Sequence, residues 1–245
     1  MRRWLQETCL VLVVCGAASG GDQPQDIVGR AVKAAGGEAK LARLQAATWK
    51  VQGTFYRQGA AVAYSGQVAF QAPDKSRLVL EGQADGRSFK IVSIVNGNRA
   101  WVQVNGKARD LDKDRLAEAR EQVYVDNVTR LTPLSDRSFQ LVSLGDSNVG
   151  DRATAGIRVT SKGHRDVSLF FDKKTGMLVK TAHRVKEDSG KEVSQETFYT
   201  EYKAVDGVQE AMKITIKRDG KPYVEAVMSG YRLREKLEQA VFAKP

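Results

Sequence analysis

Cysteine is almost missing from this chain. Of its 245 residues only Cys9 and Cys15 carry a thiol. No disulfide can therefore brace anything beyond residue 15, and a fold there must rest on its hydrophobic core. Histidine is nearly as scarce, with His164 and His183 the only two. A hydroxyl or thiol nucleophile needs an activating base, most often histidine. His164 lies in the turn-like SKGHRD and is expected to face solvent. His183 shares strand parity with Met177, Val179 and Val185, and is expected at the edge of the core rather than as a base. Zinc needs three or four ligands at metal spacing, and His164-x-Asp166 is only a fragment of such a set. The segment DLDKD, Asp110 to Asp114, lacks the glycine and terminal glutamate of a calcium loop. Paired acids such as Glu187-Asp188 fall in turns or helix starts, where they cap and solvate. No Walker or dinucleotide pattern occurs. The expectation is no catalytic residue, no metal site and no cofactor.

No apolar run is available to span a bilayer as a helix, which takes about 20 residues. The run CLVLVVCGAA, Cys9 to Ala18, is shorter, follows Arg2-Arg3, and precedes the small residues Gly16 to Gly21. That pattern reads as an export signal over residues 1–20, cleaved near Ser19 to Gly21, which places residues 21–245 in the periplasm as one domain. Leu12-Val13-Val14-Cys15 offers an alternative, a lipoprotein signal whose acylated Cys15 anchors the protein to a membrane, although Val14 is not the small residue such a signal prefers. The whole chain carries a net charge of +10, and removing Arg2, Arg3 and Glu7 with the signal leaves +9. Such a surface is drawn to anionic partners, so an anionic membrane surface or an envelope protein enters as a candidate partner. No run of five or six like charges concentrates it. Aromatics interleave with basic residues at Phe55 to Arg57, Thr200 to Lys203 and Gly230 to Lys236. The export signal and the lack of a recognisable module argue against nucleic acid.

What is present is periodicity. Asp22 to Leu44 carries an apolar stripe at helical spacing, interrupted by Gly36-Gly37, and predicts two short helices. From Thr48 the period changes to two, as in half-buried strands. Turn pairs then recur, among them Asp85-Gly86, Asn96-Gly97, Asn105-Gly106, Thr175-Gly176, Asp206-Gly207 and Asp219-Gly220. Asp112 to Leu131 breaks this meander with a helical stripe, Asp112 as its N-cap and Pro133 as its stop. About ten strands are expected. A sheet that long must curl. The expected fold is mainly β with helices, a strongly curved antiparallel sheet whose concave side the helices cover.

Strand parity nominates an apolar wall. Trp49, Val51 and Phe55 share one face, as do Tyr64, Val68 and Phe70, and Leu78 with Leu80. The hairpin VSLFFDKKTGMLVKT adds Leu169 and Phe171 from its first strand, and Met177 and Val179 from its second. Met212 and Ile214 supply a further set. From the inserted helix, Leu116 and Val123 are expected to pack against the concave face as a lid or plug. Such a wall could hold an acyl chain, since removing apolar surface from water gains about 25 cal/mol per Å².

Four stretches in order carry a resemblance: AVKAAGGEAKLARLQAATWKVQGTF, FFDKKTGMLVKT, ETFYTEYKAVDGVQEAMKITIKRDGK and LREKLEQAVFAKP, framing residues 27 to 245. In them the chain resembles the bacterial outer-membrane lipoprotein carriers of the LolA/LolB type and their wider superfamily. The resemblance implies an incomplete antiparallel β-barrel with helices as a lid over its open mouth. It also implies an apolar cavity for lipid or lipoprotein acyl chains, and a carrier rather than an enzyme. The chain departs from the pattern at Glu210-Ala211, where many relatives have a proline after Gly-Val, and no arginine aligns with the lid arginine of the true shuttles. A second reading is a non-enzymatic envelope interaction module, with a filled core and a basic surface for anionic polymers or a protein partner.

Overall fold

The computed structural model describes residues 22–57 and 60–245. The expected export signal and Cys15 lie outside the described residues. The N-terminal stripe forms two helices, α1 (Pro24–Ala35) and α2 (Glu38–Arg43). Pro24 enters at the first turn, where its missing N–H costs nothing. Gly36 ends α1 with φ at 132°, and a Cβ there would lie 2.5 Å from the Gly207 carbonyl oxygen, so only glycine fits this approach.

Six strands follow as a meander: β1 (Ala46–Arg57), β2 (Ala60–Gln71), β3 (Lys75–Ala84), β4 (Arg87–Asn96), β5 (Arg99–Val104) and β6 (Lys107–Asp110). After helix α3 (Lys113–Val128) come β7 (Phe139–Val149), β8 (Arg152–Ser161), β9 (Val167–Asp172), β10 (Leu178–Lys186), β11 (Glu192–Val205), β12 (Val208–Arg218) and β13 (Lys221–Arg234). All join one antiparallel sheet of thirteen strands in which β13 pairs with β1, leaving β6 and β7 as its edges. The sheet curves without closing, and α3 connects one free edge to the other across the open side. The expected count of about ten falls short, because strands as brief and exposed as the four-residue β6 carry little hydrophobic pattern. The turn pairs behave as read. At Asp85-Gly86, Asn105-Gly106, Asp206-Gly207 and Asp219-Gly220 both residues have positive φ, the two-residue geometry that matches strand twist.

The concave side is filled unevenly. Over β8 to β10, Ile157, Val159, Val167, Leu169 and Phe171 are buried against Ile27, Val28 and Ala31 of α1 and Tyr124, Val125 and Val128 of α3. Near the other edge, Val123 packs with Phe70, Val95 and Ala100, and Leu116 and Ala119 lie against them. On the opposite face, Ala69, Val92, Ile94 and Trp101 are covered by Phe242 from the C-terminal segment.

Polar contacts fasten α3 to the second half of the sheet. Asp112 caps it by accepting from the Arg115 N–H at 2.9 Å. Glu118 takes two hydrogen bonds from the Arg165 guanidinium, at 2.5 and 2.8 Å, and one from the Lys186 N–H at 2.9 Å. The Arg165 guanidinium holds the Glu118 carboxyl below its usual range. Glu121 accepts from the Arg165 N–H and meets His164 Nδ1 at 2.8 Å, while the His164 ring stacks on Tyr124 with centroids 3.8 Å apart. This corrects the expectation that His164 faces solvent: α3 covers it. His183 is buried as expected, and burial, with Arg165 and Arg218 nearby, pushes its imidazole down to about 4, so it is neutral.

Candidate functional site

Between α3 and the first half of the sheet lies a cavity of about 1030 Å³. One wall is apolar and continuous. Strand register makes it so: Trp49 sits opposite Val68, Val68 opposite Leu78, Phe55 opposite Val62, and Leu80 opposite Ile91. Side chains that pair across neighbouring strands point to one face, so alternation within each strand becomes a band across four. Glycines open space within it. A Cβ at Gly82 would come 2.7 Å from the Phe89 ring, and one at Gly53 2.8 Å from the Tyr64 hydroxyl. These aromatics lie over the glycines of neighbouring strands. Ile214, Ile216, Val224 and Met228 extend the band around the closed side, and Trp49 stacks on Tyr231 at 5.3 Å.

The opposite wall is polar. Gln122, Val125, Asp126, Thr129 and Arg130 line the cavity from α3 and the turn after it. Their spacing of three and four residues is one helical face. Asp126 accepts from Gln122 at 3.0 Å, and burial pushes its carboxyl up to about 6. From β12, Glu210 is half-buried and its carboxyl is pushed up to about 7, because burial outweighs the downward pull of Arg130. Arg130 donates through Nη2 to the Leu44 carbonyl and lies over the Phe70 ring at 5.6 Å. Three tyrosines ring the floor. Tyr202 donates to the Leu178 carbonyl at 2.6 Å, Tyr231 to the Ala211 carbonyl at 3.3 Å, and Tyr199 shares a 3.3 Å contact with Thr181 Oγ1. Burial raises all three phenols, so they stay neutral and act as hydrogen-bonding groups. Among the described residues no three His, Cys, Asp or Glu side chains group to hold a metal.

Ten of the sixteen residues nominated from the sequence line this cavity: Trp49, Val51, Phe55, Tyr64, Val68, Phe70, Leu78, Leu80, Met177 and Ile214. The other six do not. Leu169 and Phe171 face the concave side but α1 and α3 cover them completely, at 0% and 2% exposure, so they are core. Leu116 and Val123 lie on the α3 face that packs toward β4 and β5, away from the polar cavity face. Val179 is buried next to Leu178, where a register shift between Leu178 and Lys180 disturbs alternation. Met212 falls where the pairing with β11 skips Glu201, whose φ of 57° kinks that strand, so parity counted from Ile214 fails there. The same kink puts both Tyr199 and Tyr202 on the cavity, which strict alternation cannot do. Phe89 and Ile91 also line the cavity and were not nominated, although their alternation in β4 carries the same signal. Arg130, Asp126 and Glu210 were not, because an acid or base beside apolar residues reads as solvated surface.

No protein-family model matches the sequence, and no curated protein sequence matches it. Solved structures do share its architecture. A DUF1329 family protein from Desulfovibrio piger ATCC 29098 superposes with a TM-score of 0.62 at 15% identity, over 91% of this chain and 98% of that one. A LolA superfamily protein, NE2245 from Nitrosomonas europaea, gives 0.59 at 14% identity over 91% and 98%. A candidate outer membrane lipoprotein-sorting protein domain from Vibrio parahaemolyticus gives 0.59 at 10% identity over 90% and 97%. At such identities the likeness is one of fold: this chain has the LolA-like architecture, an open antiparallel barrel with helices across its concave side.

Proposed function

We propose that the protein binds acyl chains of lipids or lipoproteins in the cavity between α3 and the sheet, as a non-enzymatic periplasmic carrier or binding protein. The observation that carries this reading is the unbroken apolar band across β1 to β4, facing about 1030 Å³ of space. That volume is at the top of the roughly 300–1,000 Å³ typical of small-molecule sites. Burying about twelve methylenes gains about 10 kcal/mol gross. Association costs about half or more of that, within a range of roughly 4–15 kcal/mol. The remaining ~5 kcal/mol or less corresponds to binding at about 0.2 mM or weaker from a twelve-methylene tail alone, and a longer chain or a matched head group would tighten it. The filled-core alternative needs side chains that interdigitate at crystal-like density, and a space of this size counts against it. The LolA-like fold agrees with a binding role. Export by residues 1–20, or anchoring through an acylated Cys15, would put the protein where such cargo is found.

Cavity filling tests the reading. Val68→Trp and Ile214→Trp should each weaken uptake of a dansyl-labelled fatty acid by about tenfold or more while the protein remains folded. Uptake that is absent from the parent protein, or unchanged in both variants, overturns it.

A further inference from the structure

Arg130 is the only lysine or arginine among the described residues that line the cavity. Its surroundings leave it incompletely matched. Nη2 donates to the Leu44 carbonyl, at the end of α2, but Nε is buried with no hydrogen-bond partner. It forms no ion pair among the described residues. The other charged groups lining the cavity are Glu210 from β12, which lies near enough to act on Arg130, Asp126 from α3, one helical turn before Arg130, and Asp85 from the turn between β3 and β4. Asp126 is occupied by Gln122. Glu210 is held near neutrality by its own burial, with its carboxyl pushed up to about 7. A guanidinium cannot shed its proton, and its planar fork suits a carboxylate or a phosphate. A buried charge without a partner is unfavourable, so this group favours a ligand that brings an anion. From Trp49 to Ile91 the polar side chains on the lining are the Tyr64 hydroxyl, Ser76 and, in the turn between β3 and β4, the Asp85 carboxylate, which would repel such a head. The cavity is therefore polarised, with a cationic corner beside α3 and an apolar band across the sheet.

We infer that Arg130 is an anion-head subsite: it receives the carboxylate or phosphate head of a bound amphiphile, whose acyl tail lies along β1 to β4. This rests on the acyl-binding reading above and narrows it to amphiphiles with one anionic head. Neutral esters of the same chain are disfavoured. Glu210 competes with the head for Arg130 whenever it is ionised.

The test compares dansylaminoundecanoic acid with its methyl ester, two probes with the same tail, at pH 7 on the full chain. The parent protein should bind the acid about tenfold tighter than the ester, as expected for a charge-assisted pair. Arg130→Gln should reduce the acid to the ester's affinity and leave the ester within about twofold. Glu210→Gln should tighten the acid several-fold and leave the ester unmoved, which a merely structural Arg130 would not produce. Displacement by palmitate or by a short-chain phosphatidic acid then identifies the head as carboxylate or phosphate, and either supports the subsite. Equal affinity of acid and ester for the parent protein overturns the subsite alone and leaves acyl binding standing. That comparison needs no variant to fold. If neither probe binds, the acyl-binding reading falls and the subsite with it.

Discussion

Glu210 should make the protein's stability fall as pH rises from about 4 to about 7. Its carboxyl sits on the cavity wall, half-buried, and burial pushes it up to about 7 despite the attraction of Arg130. In an unfolded chain a glutamate titrates near ~4.3. Between those two values the folded protein keeps a proton that the unfolded chain has released. The unfolded state binds fewer protons there, so folding becomes less favourable as pH rises through that window and levels off above it. A displacement of this size corresponds to about 3.7 kcal/mol at most, and water in the cavity reduces it to about 2. Glu210→Gln keeps the volume and removes the titration. The variant should match the parent near pH 4.5 and exceed it by about 2 kcal/mol near pH 8.5. Urea unfolding of delipidated protein at both pH values measures this, read as a shift in midpoint at constant slope. A variant that gains equally at both pH values, or only in acid, refutes the argument.

Other outcomes follow from the same packing. Leu169→Ala empties a site with no exposure and should cost about 2–5 kcal/mol, whereas Leu80→Ala, on the cavity wall, should cost well under half as much by thermal unfolding. Phe171→Glu buries an unpaired charge under α1 and α3 and should abolish cooperative unfolding rather than leave a folded protein with lost binding. Glu118→Ala removes the Arg165 and Lys186 contacts, and hydrogen exchange in α3 should accelerate at neutral pH with a loss of about 1–3 kcal/mol. His183 stays neutral down to about 4, so its burial costs stability as pH falls below about 6.5; His183→Phe should flatten the acid side of the stability profile between those values.

The fold was legible because its signals are local. Paired turn residues with positive φ, the glycine break after α1 and the Asp112 cap each act within four residues, and tertiary packing did not override them. The strand wall was legible wherever alternation runs unbroken, as in β1, β2 and β3. It failed at Met212 and Val179, where a kink at Glu201 and a register shift in β10 reset which face a residue takes. It failed differently at Leu169 and Phe171. They lie on the expected face, but parity cannot say which stretch of a concave face a helix will cover, since that depends on how α1 and α3 dock. The polar corner was invisible for a related reason. Gln122, Asp126 and Arg130 form a polar helical face, which in sequence looks like the solvent side of an amphipathic helix. Only the topology, with α3 crossing the open side of the sheet, turns that face inward.

If the space enclosed by α3 and the sheet takes up acyl chains, the protein should carry them when it is taken from the cell. Native mass spectrometry of the full chain, purified without detergent from the cells that make it, tests this most directly. A population heavier than the polypeptide by the mass of an acyl lipid is expected, released by organic extraction and diminished in Val68→Trp. A bare polypeptide mass that stays bare after incubation with fatty acid would contradict it.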